Sequence, residues 1–540
     1  MRILLTAINA KYIHSNLAVY SLKAACRELS THVELAEFTI NHRTEEILRE
    51  IYQRKPEVLL FSCYIWNIGY VEELIAECHK VMPGVPIWLG GPEVSYDAED
   101  MLKKHPELTG ILVGEGEKTF PRLVKYYVNN EAERLDRILR GELCDLNQIP
   151  FAYEGLEDFE HRIIYYESSR GCPFSCSYCL SSIDKSVRFR DLELVKKELQ
   201  FFLDAKVPQV KFVDRTFNCR KSHALAIWRY LLEHDNGITN FHFEIAADLL
   251  DEEELELMSR MRPGLIQLEI GVQSTNPGTI EAIHRRMALE KVRGNVARVH
   301  AMKNIHQHLD LIAGLPYEDY ESFARSFDEV FAMQPEQLQL GFLKVLKGSL
   351  MYREAKKYGI VYRNRPPYEV LYTNWLSFSE ILRLKAIEEM VEIYYNSHQF
   401  GNTLEALIPA FSSAFGFFEK LADYYEQEDL NGKNHSRLQR YEILLDFIIQ
   451  RFPEQEKKYR ELLTIDLYLR ERVKRRPAFA PDQILWKEEI REIWRKVGKQ
   501  KHVEVVTENT EEITWLIFDY EKRNPLTQDA SVTLWRKETV

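Results

Sequence analysis

The chain has 540 residues, with 71 Lys and Arg against 83 Asp and Glu for a formal net charge of −12. That length exceeds one ordinary domain, so roughly two to four are expected. The acidic balance excludes general binding to the nucleic-acid phosphate backbone and leaves room only for a local basic groove. Eight cysteines, three of them clustered, do not make a secreted disulfide scaffold and suit a reducing cytoplasm. No apolar run reaches the roughly 18 residues of a membrane span, so neither nucleic acid nor membrane is an expected partner.

Residues 1–140 alternate strand-like runs at 3–7, 33–38, 58–62, 87–89 and 110–113 with amphipathic runs such as 17–29, 44–52 and 70–81. The apolar run in RILLTAI is too short for a signal peptide and reads as a strand. Such alternation predicts a doubly wound parallel sheet, with ligands at the carboxyl ends of its strands. Those ends carry the unusual residues: Asn9 and His14, then Ser62 with Trp66, then GGPEVS from Gly90, then GEGE from Gly114. A lone Gly-Gly is simply a turn. Its repetition at several strand ends points to backbone approaching a bulky or anionic ligand.

Residues 141–162 show no period and read as a linker. From Ile163 six strand-then-helix units follow, with strands at 163–168, 209–213, 241–246, 265–272, 308–313 and 337–344. Helical runs cover 192–203, 223–234, 252–261 and 323–333. Six units are too few for a closed eight-stranded barrel, so residues 163–365 are expected to form a partial (β/α)6 TIM-like barrel with its site at the strands' carboxyl ends. Directly after the first strand comes YESSRGCPFSCSYC, a C-x3-C-x2-C array of Cys172, Cys176 and Cys179. Gly171 and Pro173 keep this run from becoming a helix. Structural zinc takes four ligands, whereas a cubane iron–sulfur cluster can be held by three cysteines with one iron open. The alternatives are free surface thiols, or zinc with Cys219 or His161 as its fourth ligand; spacing ranks the cluster first.

Beyond the break at Arg365-Pro366-Pro367, residues 366–540 read as mostly helical. Helices are expected at 376–395, 404–425, 437–452 and 457–470, and strands at 513–520 and 530–536. The basic runs at 470–476 and 495–501 read as solvated helix faces. This region is expected to lie over the open side of the barrel and complete a substrate cavity.

The cysteine array, with Tyr178 as its aromatic residue, resembles the radical S-adenosylmethionine (SAM) superfamily. The resemblance implies that Cys172, Cys176 and Cys179 hold a [4Fe–4S] cluster whose open iron chelates SAM. An electron then cleaves the sulfonium to a 5′-deoxyadenosyl radical. GGPEVS followed by GEGEKTF resembles the cobalamin-binding domain of the B12-dependent class, which is Rossmann-like. That implies a corrinoid groove at Asn9, Ser62, Gly90, Gly91, Pro92, Glu93, Gly114, Glu115 and Gly116. The D-x-H-x-x-G motif of many B12 domains is missing around His14, so cobalamin without a histidine lower ligand is expected. The strand-end residues are similar to those of the oxygen-independent coproporphyrinogen oxidase branch. They imply SAM contacts at Tyr178, Asp214, Glu244, Gln273, Ser274, Arg285 (on the helix after the fourth strand) and Asp310. A sulfonium ligand with an ammonium, a carboxylate and ribose hydroxyls does need acidic acceptors beside an Arg or amide. Glu269 is assigned no role, because a strand carboxylate can pair within the barrel.

The resemblance extends to an uncharacterised C-terminal extension and implies a cytoplasmic three-domain enzyme. Its cofactors would be a [4Fe–4S] cluster, SAM and cobalamin, and its electrons would come from a donor such as flavodoxin or ferredoxin. The most common chemistry of the class is methylation of an unactivated carbon or phosphorus centre of a small-molecule substrate. Radical rearrangement or oxidative cyclisation without methyl transfer is the second reading, and a cluster- and corrinoid-binding regulatory protein the third.

Overall fold

The computed structural model describes residues 1–131, 135–498, 500–508 and 513–535. Lys499 in the second basic run and Arg536 at the end of the last expected strand lie outside the described residues.

Six parallel strands form the first sheet: β1 (Ile3–Asn9), β2 (Val33–Thr39), β3 (Val58–Ser62), β4 (Ile87–Gly90), β5 (Gly110–Val113) and β6 (Ile138–Arg140). Their order is β2-β1-β3-β4-β5-β6. β6 was not anticipated, because three residues are too few to show a period. Alternate side chains serve two separate cores, Leu4 and Ile8 on one face, Ile3, Leu5 and Ala7 on the other. Burial on both faces is why these strands read as continuous apolar runs. The strand order reverses between β1 and β3, which opens a crevice outside the carboxyl ends. At that crevice Gly91 has φ +120°, and a Cβ there would lie 2.4 Å from the Cys63 carbonyl oxygen. Only glycine lets the two loops cross so closely.

The second sheet also has six parallel strands, in sequential order: β7 (Ile164–Tyr166), β8 (Gln209–Phe212), β9 (Asn240–Ile245), β10 (Ile266–Gln273), β11 (His306–Ala313) and β12 (Gln337–Phe342). β7 and β12 are the two ends of that order and share no ladder, so the barrel stays open. The expected linker is more than a tether. Tyr153 and Phe159 join the barrel's core, and Arg190 donates to the Leu146 and Ile149 carbonyls. An irregular strap has no repeating face, which is why it showed no period.

The C-terminal region consists mainly of the helices Phe378–Met390, Gly401–Leu407, Ala414–Gln427, Arg437–Arg451, Glu456–Arg470 and Lys487–Val497. The single helix expected at 404–425 is two, because Pro409 supplies no backbone N–H and the chain turns at Ile408–Ala410. A three-stranded antiparallel sheet follows, His502–Val506, Thr514–Arg523 and Ala530–Trp535. The first basic run is solvated as expected at Arg472, Lys474 and Arg475, but it lies beyond the helix end at Arg470. Arg470 pairs with Asp529 at 3.1 Å, and Arg476 donates to Glu504 at 2.9 Å. No described helix is long and apolar enough to cross a membrane.

This region covers the barrel's last strand. The Asn396 side-chain amide acts as a surrogate strand, accepting from Leu338 N at 3.0 Å and donating to Leu338 O at 2.9 Å. Phe415 packs on Tyr320 and Phe327 of the preceding barrel helix. Asn396→Leu should therefore leave the Leu338 N–H and C=O without partners, at about 1–3 kcal/mol each. The expected result is a lower unfolding midpoint with faster hydrogen exchange at the Leu338 amide. Unchanged exchange there would contradict the role given to this amide.

Candidate functional site

The carboxyl ends of both sheets border one cavity of about 720 Å³. Its apolar floor is Leu5, Leu60, Leu112 and Phe120, its barrel wall is Tyr165, Glu167, Arg170, Val213 and Arg215, and residues 149–153 of the strap close one side. Of the expected groove residues, Asn9, Ser62, Gly90, Gly91, Pro92, Gly114, Glu115 and Gly116 line it. Glu93 does not. It lies on the far side of the short helix Pro92–Ser95, is buried, and accepts a hydrogen bond from Tyr368. Gly116 resembles Gly91 in serving internal packing, since a Cβ there would lie 2.6 Å from Leu22 Cδ2. His14 faces the cavity with Nδ1 2.7 Å from the Tyr165 hydroxyl, and burial followed by the Lys11 and Lys211 charges holds its pKa below the usual value. Tyr64 and Trp66 stack at 4.4 Å on the same wall.

The cysteine loop leaves the barrel at Ser169–Arg170, which pairs antiparallel with Arg188–Phe189 and closes residues 171–187. At Gly171 φ is +98°, and a Cβ would lie 2.7 Å from the Ser186 carbonyl oxygen. Cys172 and Cys176 are buried, Cys179 is partly exposed, and none is in a disulfide. Burial raises the Cys172 thiol, the Phe174 N–H and the Thr216 hydroxyl oppose this, and the other two thiolates raise it further. Among the described residues, the trio whose ligand atoms all lie within 4.8 Å of one another is Glu115, Glu117 and Cys144. The three loop thiols are not drawn together into such a trio. His161 cannot complete a zinc site here, because it is exposed on the surface beside Glu160.

The strand-end residues divide into two sets. Arg285 reaches the cysteine loop, with Nη1 3.7 Å from Cys176 Sγ and 3.4 Å from the Tyr178 hydroxyl. It does not sit on a helix as expected. The helix Pro277–Ala282 ends before it, and His284 takes φ +55°, so Arg285 lies in a loop. Arg285 Nε and Gln273 Oε1 are buried without a protein partner. Burial pushes Glu244 up to about 7, with Arg215 and Lys211 opposing and Glu269 and Asp310 adding to it. Asp310 lies 3.0 Å from His308. Glu269 does pair within the barrel, with Lys211 and His242 each at 2.9 Å. Burial alone would raise its pKa, but these two partners hold it far below the carboxylate range.

Asp214 and Ser274 form the second set, and both turn to protein partners. Asp214 is fully buried and accepts from Ser168 N (2.9 Å), Ser168 Oγ (2.7 Å) and Ser169 Oγ (2.6 Å). Burial pushes it up to about 6 despite these donors. The Ser168 hydroxyl also lies 3.0 Å from His223 Nε2. Asp214 is thus a brace under the cysteine loop. Ser274 is buried, donates to Glu318 at 2.6 Å and accepts from Asn276 N at 3.0 Å, starting the next helix. A strand-end residue can face the mouth or the layer beneath it, and the sequence does not distinguish the two.

Residues 3–124 match the B12 binding domain family, residues 166–330 the radical SAM superfamily, and residues 356–518 a family described as a protein of unknown function (DUF4080). The chain is 27% identical over 315 residues to 2-(S-pantetheinyl)-carbapenam-3-carboxylate methyltransferase of Streptantibioticus cattleyicolor, covering 50% of this chain and 44% of that one. It is 26% identical over 314 residues to the cobalamin-dependent radical SAM methyltransferase TokK of Streptomyces tokunonensis, with the same coverage of 50% and 44%. With the anaerobic magnesium-protoporphyrin IX monomethyl ester cyclase of Rubrivivax gelatinosus the identity is 22% over 328 residues, 55% of this chain and 58% of the other. The chain thus spans about half the length of these curated relatives. The radical SAM methyltransferase TsrM from Kitasatospora setae, solved with tryptophan and a SAM analogue, superposes with a TM-score of 0.55 at 15% identity, over 68% of this chain and 80% of that chain. That likeness shows the fold.

The brace is testable without any ligand. Asp214→Ala should strip the partners from Ser168 and Ser169, cost about 1–3 kcal/mol for each buried group left unpaired, and loosen the loop above. Alkylation of Cys172 and Cys176 in the apo chain should then become several-fold faster than in the parent. Equal rates would show that the loop holds its shape without Asp214.

Proposed function

We propose that this chain, a B12-binding radical SAM protein with a DUF4080 extension, is an enzyme that cleaves SAM reductively and methylates an unactivated carbon or phosphorus centre of a small molecule. The observation that carries this reading is one cavity bordered by the glycine-rich strand ends and by Glu167 and Arg170, which lead into the three-thiol loop. Cys172, Cys176 and Cys179 would hold a [4Fe–4S] cluster, and the groove at Asn9, Ser62, Gly90 and Gly114 would hold cobalamin. When bound, the cluster and SAM supply one-electron radical chemistry and the corrinoid supplies methyl-transfer chemistry.

The chain's own residues bind and orient. Gln273 Oε1 and the Glu244 carboxyl are acceptors suited to an ammonium and to ribose hydroxyls, and Arg285 Nε is a donor with no protein partner. Asp310, 3.0 Å from His308 but with Oδ1 lacking a hydrogen-bond partner, would add a further acceptor. Lys211 with His242 on Glu269 keeps the charges paired beneath that pocket. His14 bonds Tyr165 through Nδ1, and the missing D-x-H-x-x-G motif around it supports a corrinoid without a histidine ligand. A reducing cytoplasm with a flavodoxin or ferredoxin as electron donor completes the reading. Similarity to the cyclase supports a second one, radical ring chemistry without methyl transfer.

Anaerobic reconstitution should load about four irons per chain. Each of Cys172→Ala, Cys176→Ala and Cys179→Ala should abolish loading, and Cys219→Ala should not. With dithionite and methyl-labelled SAM the loaded protein should release 5′-deoxyadenosine and transfer label to a small molecule from host extract. Cleavage without label transfer would favour the second reading. Cluster and corrinoid binding with no cleavage at all would leave a regulatory protein.

The pH dependence of SAM binding gives a separate check. Glu244 titrates at about 7 in the ligand-free chain, so at lower pH it is mostly protonated. A cationic ligand favours the carboxylate, so binding must release that proton. SAM affinity should therefore rise with pH by up to ~10-fold per unit below the pKa and level off above it. Glu244→Gln should weaken binding and flatten the profile. A flat profile in the parent would remove Glu244 from the pocket.

A further inference from the structure

Four charged residues join the two halves of the cavity; Glu115 lines the expected groove, and the reading above gives Glu117, Arg170 and Arg188 no task. Glu115 and Glu117 flank Gly116 on the glycine-rich loop after β5. Arg170 stands two residues before Cys172, and Arg188 pairs with it across the ladder that closes the cysteine loop. Arg170 lies 3.2 Å from Glu115 and 2.7 Å from both Glu117 and Glu167. Arg188 donates to Glu115 at 3.0 Å and to the Cys144 carbonyl at 2.7 Å, and Glu115 accepts from Cys144 N at 2.6 Å. Side-chain exposure across Arg170, Arg188, Glu115 and Glu117 is only 10–21%, so solvent screens these pairs weakly. Burial pushes the Glu115 carboxyl up, but the Arg188 bond and the Arg170 charge outweigh it and leave it below the usual range.

We propose that Glu115, Glu117, Arg170 and Arg188 are positioning residues, a clamp that fixes the cysteine loop against the glycine-rich groove and makes the two cofactor sites bind cooperatively. Each guanidinium has one foot on each loop. Gly116 between Glu115 and Glu117 is packed closely on Leu22. A ligand that orders the cysteine loop therefore fixes Arg170 and, through it, Glu115 and Glu117. The second ligand meets a loop already ordered, and the ordering entropy is spent once rather than twice. The cost of breaking the clamp is also why all four charges sit together: removing one partner leaves its mate buried and uncompensated.

The proposal rests on the cofactor reading above, and the test separates the two. Hydroxocobalamin is titrated into the full chain with and without reconstituted cluster, and its binding is followed by visible absorption. The parent should bind it about fivefold or more tightly when the cluster is present. In the double variant Glu117→Gln/Arg188→Gln both sites should still fill, but the ratio of the two affinities should fall towards one. Arg170→Lys, which keeps the charge but lacks the fork that reaches three carboxylates, should lower the ratio as well and carries the test if the double variant does not fold. A purely structural role predicts weaker binding with the ratio intact. A ratio of one in the parent, or an unchanged ratio in the variants, overturns the clamp and leaves the cofactor assignment standing. Absence of corrinoid binding in both states overturns the cofactor assignment and the clamp with it.

Discussion

Two parallel sheets in one chain must turn the same ends towards each other if their sites are to cooperate, and nothing in the sheets themselves enforces that. Here the constraint is met by charge. Arg170 and Arg188 on the barrel side hold Glu115 and Glu117 on the other side within a weakly exposed seam. The strap at 141–162 runs along the same seam and delivers Tyr153 and Phe159 to the barrel core. Apolar packing sets the closeness of the halves, and the directional ion pairs set their register. A shift of a few ångströms would leave several charges buried and unmatched.

The barrel's interior follows from the same economy of charge. Most barrels fill their lumen with branched apolar side chains. Lys211, His242, Glu269, His308 and Asp310 point inward from neighbouring strands here, and they survive burial because most are paired. The exceptions lie at the mouth. Glu244 has its pKa lifted to about 7, and Gln273 Oε1 and Arg285 Nε are buried without partners. Unmatched polar groups cost free energy in the ligand-free chain and return it on binding a ligand of complementary pattern. The Glu269 pairs with Lys211 and His242 lie below these unmatched groups.

The C-terminal third solves a different problem. An open barrel exposes an edge strand, which invites pairing with other chains. The Asn396 amide satisfies Leu338 in both directions, and the helices behind it bury Phe327 against Phe415 and Phe418. No described residue beyond Arg215 lines the interdomain cavity, and the contacts this region makes here are with the barrel's edge.

Local periodicity was enough to locate both sheets, all but the shortest of their strands, and the loop of three thiols. Strand alternation, the spacing of Cys172, Cys176 and Cys179, and a glycine forced to positive φ at 171 are properties of neighbouring residues. Eight groove positions were legible for the same reason, since a strand's end is visible in the sequence that follows it. What stayed hidden was direction and partnership. Asp214, Ser274 and Glu93 sit where ligand residues would sit, yet each turns to a protein partner 46, 44 and 275 residues away. Arg285 left its helix because His284 ends it, and R-G-C and G-E-G-E proved to be two halves of one clamp across 53 residues. Backbone hydrogen bonding and side-chain alternation are short-range and written residue by residue. The side of a turn on which a carboxylate comes to rest depends on which distant donor packs there first, and only the tertiary structure decides that.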